Sequence, residues 1–245
     1  MRPERVDILG VPVDCVDMQG AVAVIEEMVA GDHPQYVIAV NPEKVVKAWQ
    51  DPELLAQLQG AGLLIPDGIG VVIGTRLLNS ARMSRVPGSE LMPEICKRAA
   101  EKGYRIFLFG ADPIVNQRAR EVILERYPGI QIVGNHDGYV TDEDMPFIID
   151  EINASGAEIL FIALGSPKQE LWMKKYLGYT DVKVCQGVGG TFDVIAGKGK
   201  RAPLIFRKMH LEWFYRLLSN PRRLLRQTAL PKFMMAVLKE KYLPR

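Results

Sequence analysis

Pro66-Asp67-Gly68 fixes a carboxylate on a tight turn immediately ahead of an apolar stretch with helical period. A carboxylate held this way at the mouth of a cleft can take the proton of a hydroxyl as its oxygen attacks, if the pocket raises its pKa toward neutrality. The same side chain could equally cap the helix that starts at Ile69. Arg85-Val86-Pro87-Gly88 puts a guanidinium ahead of another helix, where a diphosphate would also meet the first amides of that helix; otherwise Arg85 is a surface arginine before a turn. Gly110-Ala111-Asp112-Pro113 and Gly165-Ser166-Pro167-Lys168-Gln169-Glu170 share one plan, in which small residues follow a strand and proline opens a helix. Lys168 offers charge and Gln169 a two-way amide, both suited to phosphate or sugar hydroxyls. Glycines 110 and 165 would let a nucleotide approach closely, although βα turns use glycine for geometric reasons alone. Further on, Gly187, Gly189 and Gly190 lead into Thr191-Phe192-Asp193, where Asp193 could bind a sugar hydroxyl or orient a cationic neighbour.

Other patterns point away from common cofactors. Gly68, Gly70 and Gly74 have GxGxxxG spacing, and no acid closes a following strand about twenty residues on, so a dinucleotide fingerprint is not met. The position where a Walker A glycine would precede Gly197-Lys198 is Phe192. Asp142-Glu143-Asp144 matches the DxD string that holds a metal-bound nucleotide sugar, but it also suits the acidic first turn of a helix capped by Thr141. Cys15, Cys96 and Cys185 lie far apart outside any CxxC spacing, and His33, His136 and His210 are equally scattered. Neither a disulfide framework nor a metal site is expected, and no cofactor.

The elements that must place these residues alternate regularly. Strands are expected over Tyr36 to Val40, Leu63 to Ile65, Arg105 to Phe109, Gln131 to Val133, Glu158 to Leu164 and Val182 to Val188. Helices are expected over Met18 to Ala30, Glu43 to Gln50, Pro52 to Ala61, Ile69 to Leu78, Glu90 to Lys102, Pro113 to Tyr127, Glu143 to Ser155 and Pro167 to Leu177. Their start signals are Asp17, Asp51, Ser89, Asp112, Thr141 and Ser166. This order predicts an α/β fold with a Rossmann-like, mainly parallel sheet covered on both faces. In such sheets ligands sit beyond the carboxyl ends of the strands, where the loops above lie; Asn41-Pro42-Glu43-Lys44 follows the first of these strands.

Charge divides the chain near Gly197. From Lys198 to Arg245 there are 13 Lys+Arg against two acids, a balance of +11, whereas the residues before Lys198 carry 18 basic and 27 acidic side chains. We therefore expect a catalytic core over 1–197 and a basic, amphipathic helical appendage over 198–245, which Pro221 and Pro231 cut into short pieces. Trp213, Phe214, Tyr215, Leu217, Leu218, Leu224, Leu225, Phe233, Met234 and Met235 interleave with the cations, a pattern that fits an anionic lipid surface. A helix packed on its own core with a solvated basic face is the alternative. Nucleic acid is not expected as a partner, because the segment is too apolar for a plain phosphate-binding arm. No run approaches the roughly 18 apolar residues of a membrane span, and the start lacks an apolar signal-peptide core, so a cytoplasmic protein peripheral to the inner membrane face is expected.

In combination, NPEK, PDGIG, RVPG, FLFGA, GSPKQE and GVGGTFDVIAGKGKRAP, in this order and at this spacing, resemble the WecG/TagA/CpsF family of bacterial glycosyltransferases from about Val6 to the tail. The likeness is greatest to members of the TagA type. It implies inverting transfer of N-acetylmannosamine (ManNAc) from UDP-ManNAc to undecaprenyl-diphosphate-linked N-acetylglucosamine (GlcNAc), with a β-1,4 linkage, in wall teichoic acid synthesis. It assigns Asp67 the role of catalytic base and puts Arg85, Gln169 and Asp193 in the pocket, with Arg216, Arg223 and Arg226 at the diphosphate; the loops themselves add Asn41, Gly110, Gly165, Lys168 and Gly189 as substrate-binding candidates. An inverting transfer needs a base for the attacking hydroxyl and cations for the departing UDP, which agrees with the chemistry of these residues. One departure stands out: many members place a threonine two positions before the Asn of NPE, and here that residue is Ala39, so a hydroxyl contact there is lost or replaced.

Two roles meet in the tail, membrane anchor and active-site lid, and lipid engagement that folds it over the pocket would combine them. Self-association through its apolar face is also open. Competing readings are another UDP-sugar donor, such as UDP-N-acetylmannosaminuronic acid or a hexose, a non-catalytic nucleotide-binding protein at the membrane, and an NAD-linked oxidoreductase.

Overall fold

Side chains alternate along each strand between two cores, one on either side of a single sheet. The computed structural model describes residues 3–199, Pro203, Phe206 and residues 228–243. Six strands, β3 (Gln35–Val40), β4 (Leu63–Pro66), β5 (Arg105–Gly110), β6 (Gln131–His136), β7 (Ile159–Ala163) and β8 (Val184–Gly187), pair in the order β4-β3-β8-β7-β5-β6. Every pairing is parallel, as the β-α order requires. In β5, Ile106 and Leu108 enter one core while Phe107 and Phe109 enter another; in β7, Ile159 and Phe161 part in the same way from Leu160 and Ile162.

The first core is roofed by α1 (Met18–Val29), α5 (Gly88–Lys102), α6 (Pro113–Arg126) and α9 (Thr191–Ile195). Across the sheet, α7 (Met145–Ala154) and α8 (Lys168–Tyr176) cover one half. The other half is covered by α2 (Pro42–Ala48), α3 (Pro52–Gln59), α4 (Ile69–Asn79) and α10 (Ala229–Tyr242). All six expected strands and all eight expected helices form. Asp17, Asp51 and Asp112 cap their helices by accepting the backbone N–H groups of Gly20, Leu54 and Ile114. Ser89, Thr141 and Ser166 do not cap: those helices start from Pro87, Asp144 and Pro167. In each case a proline beside the boundary sets the entry of the chain.

An antiparallel hairpin of β1 (Arg5–Ile8) and β2 (Val11–Asp14) adds to the expected elements. Asp14 is buried and ties it to the sheet edge, accepting both Arg5 at 2.7 Å and the backbone N–H of Leu64 at 2.7 Å.

The tail's last helix is docked on the body. Phe233 and Val237 of α10 are fully buried. They fill a groove on α4 where a Cβ on Gly74 would fall 3.0 Å from Phe233 Cζ and 3.2 Å from Val237 Cγ2. Gly68 and Gly70 have a similar explanation, since a Cβ on either would lie 2.9 Å from the Pro42 ring. The GxGxxxG spacing therefore serves close packing. Of the apolar residues expected at a lipid interface, Phe233 is spent on the core, while Met235 is 63% exposed.

Candidate active site

Because the six strands are parallel, the loops that follow them gather at one edge of the sheet. Asp67 leaves β4 with its N–H donated to the Val40 carbonyl at 2.9 Å, which holds the PDG turn against the end of β3. There Asn41 accepts the Lys44 N–H at 2.9 Å and caps α2, and Pro42, the first residue of that helix, packs on Gly68. The N–H of Val86 donates to the Pro66 carbonyl at 2.8 Å, so the RVPG segment that carries Arg85 is stitched to the end of β4, next to the PDG turn. Asp67 and Arg85 are both half-buried, the exposure suited to groups that must meet a ligand yet be held in place. The N-cap position of α4 is Gly68, one residue after Asp67.

Across the edge, the carbonyl of Gly165 accepts the Gln169 N–H at 2.9 Å. The Gln169 side chain is buried, and its Oε1 accepts the Gly189 N–H at 3.1 Å. It lies so flat on Gly187 that a Cβ there would fall 2.4 Å from Nε2. The loops after β7 and β8 are thus locked through one amide. Gly165 and Gly189 have φ of +74° and +53° with open space where a side chain would stand, an approach free of Cβ atoms. Asp193 sits half-buried in the first turn of α9, and its carbonyl accepts the Gly199 N–H at 2.8 Å. Lys168 is exposed on the first turn of α8.

Gly110 belongs to the scaffold. At φ +111°, a Cβ on it would fall 2.7 Å from the Ala163 main chain, so its glycine is required by β7. Ala39 lies at the end of β3, 3.8 Å from where a Cβ on Gly88 would sit. Asp142 is engaged by Lys175 Nζ at 2.7 Å and the Tyr176 hydroxyl at 2.9 Å, and Asp144 by the Thr141 hydroxyl at 2.8 Å. No cluster of three potential metal ligands occurs among the described residues. Arg216, Arg223 and Arg226 lie outside the described residues.

Lys44 and Glu170 carry more of the site than their sequence suggests. Lys44 Nζ lies 2.6 Å from Glu170 Oε1, with both side chains buried. Gln57 Nε2 donates to the Glu170 carbonyl, and Gln169 Nε2 approaches Glu170 Oε1 at 3.4 Å. Burial would raise the Glu170 pKa, but the charge and hydrogen bond of Lys44 outweigh it and hold the carboxyl below its ordinary value. The signal available beforehand was a lysine in the first turn of a helix, where its charge opposes the dipole and so calls for a partner.

Among known proteins, the family described as "Glycosyl transferase WecG/TagA/CpsF family" matches residues 6–245. The chain is 41% identical over 204 residues to a Bacillus spizizenii protein, covering 83% of this chain and 79% of that one. It is 39% identical over 204 residues to a Bacillus subtilis protein, with the same coverage of 83% and 79%. A Staphylococcus aureus protein is 36% identical over 239 residues, covering 97% of this chain and 93% of its own length. All three are named N-acetylglucosaminyldiphosphoundecaprenol N-acetyl-beta-D-mannosaminyltransferase.

Proposed function

Since the chain belongs to the WecG/TagA/CpsF family of glycosyl transferases, we propose that it moves N-acetylmannosamine from UDP-ManNAc to GlcNAc carried on undecaprenyl diphosphate, with inversion at the anomeric carbon. The observation that carries this reading is one enzyme name shared by three relatives at 36–41% identity, together with a half-buried aspartate on the turn after β4. In the reaction the GlcNAc hydroxyl oxygen forms a bond to the anomeric carbon as the bond from that carbon to the UDP oxygen breaks. Asp67 takes the hydroxyl proton, and UDP departs with the bonding electron pair. Arg85, on the segment that the Val86–Pro66 hydrogen bond ties to the end of β4, stabilises the charge that develops on the diphosphate. Gln169, Gly189 and Asp193 position the donor, and Gly165 and Gly189 admit it close to main-chain amides. Arg216, Arg223 and Arg226 add cations for the diphosphate of the departing UDP.

The acceptor's lipid places the reaction at a membrane surface. Among the described residues no helix is long and apolar enough to cross a membrane, and we propose peripheral attachment at the inner face through the basic segment over 198–245. α10 contributes its outer side while Phe233 and Val237 stay docked: Met235, Leu238 and Tyr242 recur at i, i+3, i+7, all exposed, beside Lys232, Lys239 and Lys241. The test is a donor panel of UDP-ManNAc, UDP-ManNAcA and UDP-GlcNAc with a soluble lipid-diphosphate-GlcNAc analogue. Disaccharide product from UDP-ManNAc alone is expected; a product from another donor only, or from none, overturns the assignment.

A further inference from the structure

Lys44 and Glu170 stand in the first turns of α2 and α8, helices that follow β3 and β7. β8 lies between those two strands in the sheet, so the ion pair spans the end of β8 and joins the two halves of the site. From Lys44 the contacts run back through Pro42 to Gly68 and the Asp67 turn. From Glu170 they run through the Gln169 amide to the Gly189 N–H.

Two features argue that this pair serves geometry more than stability. A buried ion pair gives little net stability over well-packed apolar residues of the same volume, because desolvating both charges offsets their attraction. The Glu170 carboxylate also decides how its neighbour lies. Its Oε1, already bound to Lys44 at 2.6 Å, can face only the donor end of the Gln169 amide, which leaves the carbonyl end for Gly189. An apolar residue at 170 would leave the two ends of that amide equivalent from its side.

We propose that Lys44 and Glu170 are positioning residues, whose buried ion pair fixes the orientation of Gln169 and its separation from the base at Asp67. The proposal rests on the transferase reading above, in which Asp67 and Gln169 act on the same donor–acceptor pair. A pair that holds two halves of a site in register affects the transition state more than ground-state binding, so it should show in kcat.

The experiment compares the full chain with Lys44→Met, Glu170→Gln and the double variant Lys44→Met/Glu170→Met, following thermal unfolding, UDP binding and steady-state transfer. Lys44→Met strands a buried carboxylate, and its Tm should drop by about 10 °C. In the double variant Tm should return to within about 3 °C of the parent. Its kcat should remain about 10–100-fold down, with donor KM within about 3-fold and UDP still bound. Glu170→Gln keeps the side chain's shape but strands the buried Lys44 ammonium, so its Tm should also drop by about 10 °C; if the double variant does not fold it carries the test, with kcat expected to fall about 10-fold at a temperature where the variant is folded. Parental kcat in the folded double variant, or in Glu170→Gln, overturns the proposal. An unmodified chain that binds UDP but transfers no sugar instead sinks the transferase reading on which it rests.

Discussion

Replacing Phe233 by alanine should release α10 from the body without unfolding the sheet. Phe233 is fully buried, and its ring fills the α4 groove where Gly74 leaves room, with Val237 packed beside it. A buried Phe→Ala change costs about 3–5 kcal/mol through lost transfer energy and the cavity left behind. Even the lower figure shifts a local docking equilibrium about 150-fold. α10 is a terminal helix held by Ala229, Phe233 and Val237, so this loss falls on the helix rather than on the six-stranded core. Hydrogen exchange read by mass spectrometry should show residues 228–243 exchanging about 100-fold faster in Phe233→Ala, with β5 and β7 as protected as in the parent. Limited proteolysis should open a new cleavage site in the same stretch. Unchanged protection of 228–243, or loss of protection in the core strands as well, would refute the reasoning that the glycine groove is a dock for this helix.

Three further outcomes can be checked. Gly187→Ala places a Cβ 2.4 Å from Nε2 of the buried Gln169 amide and forces that side chain off its partners; kcat should fall about 10-fold or more in steady-state transfer. Because the Glu170 pKa is depressed in the fold, its contribution to stability is present above the ordinary value of 4.5 and is lost as pH falls through the folded value. A urea titration series from pH 6 to pH 3 should therefore show an acid limb that is shallower in Glu170→Gln. Burial pushes the Cys96 thiol up to about 12 and also raises that of Cys185, so iodoacetamide at pH 7.5 should leave both unalkylated until the chain is unfolded.

The sheet was legible because buried parallel strands read as short, nearly continuous apolar runs, such as Tyr36 to Val40 and Arg105 to Phe109, and both faces of each need covering. The loops that follow them were legible for the same reason. The hairpin at residues 5–14 was not, since its turn places Leu9 at φ 56° and Gly10 at φ 85°, and leucine carries no signal for the left-handed region. Contacts distant in sequence left least trace. The glycines of α4 face Phe233 and Val237 from the far end of the chain, and Lys44 meets Glu170 across 126 positions. Local spacing supplied a false analogy for the first and, for the second, only a lysine in the first turn of a helix with no trace of which residue would meet it. Asp67 and Arg85 could each be singled out, but the Val86–Pro66 bond that ties their two segments together became apparent only in the folded chain.

In the proposed reaction the carboxylate on the turn after β4 accepts the proton of the attacking hydroxyl. Asp67→Asn keeps the shape of that side chain and removes its basicity, so the transfer rate with UDP-ManNAc and the GlcNAc-diphospholipid analogue tests the claim directly. In Asp67→Asn, kcat should fall about 10²–10⁴-fold with UDP affinity and Tm unchanged. An Asn variant that transfers at the parental rate would contradict that role.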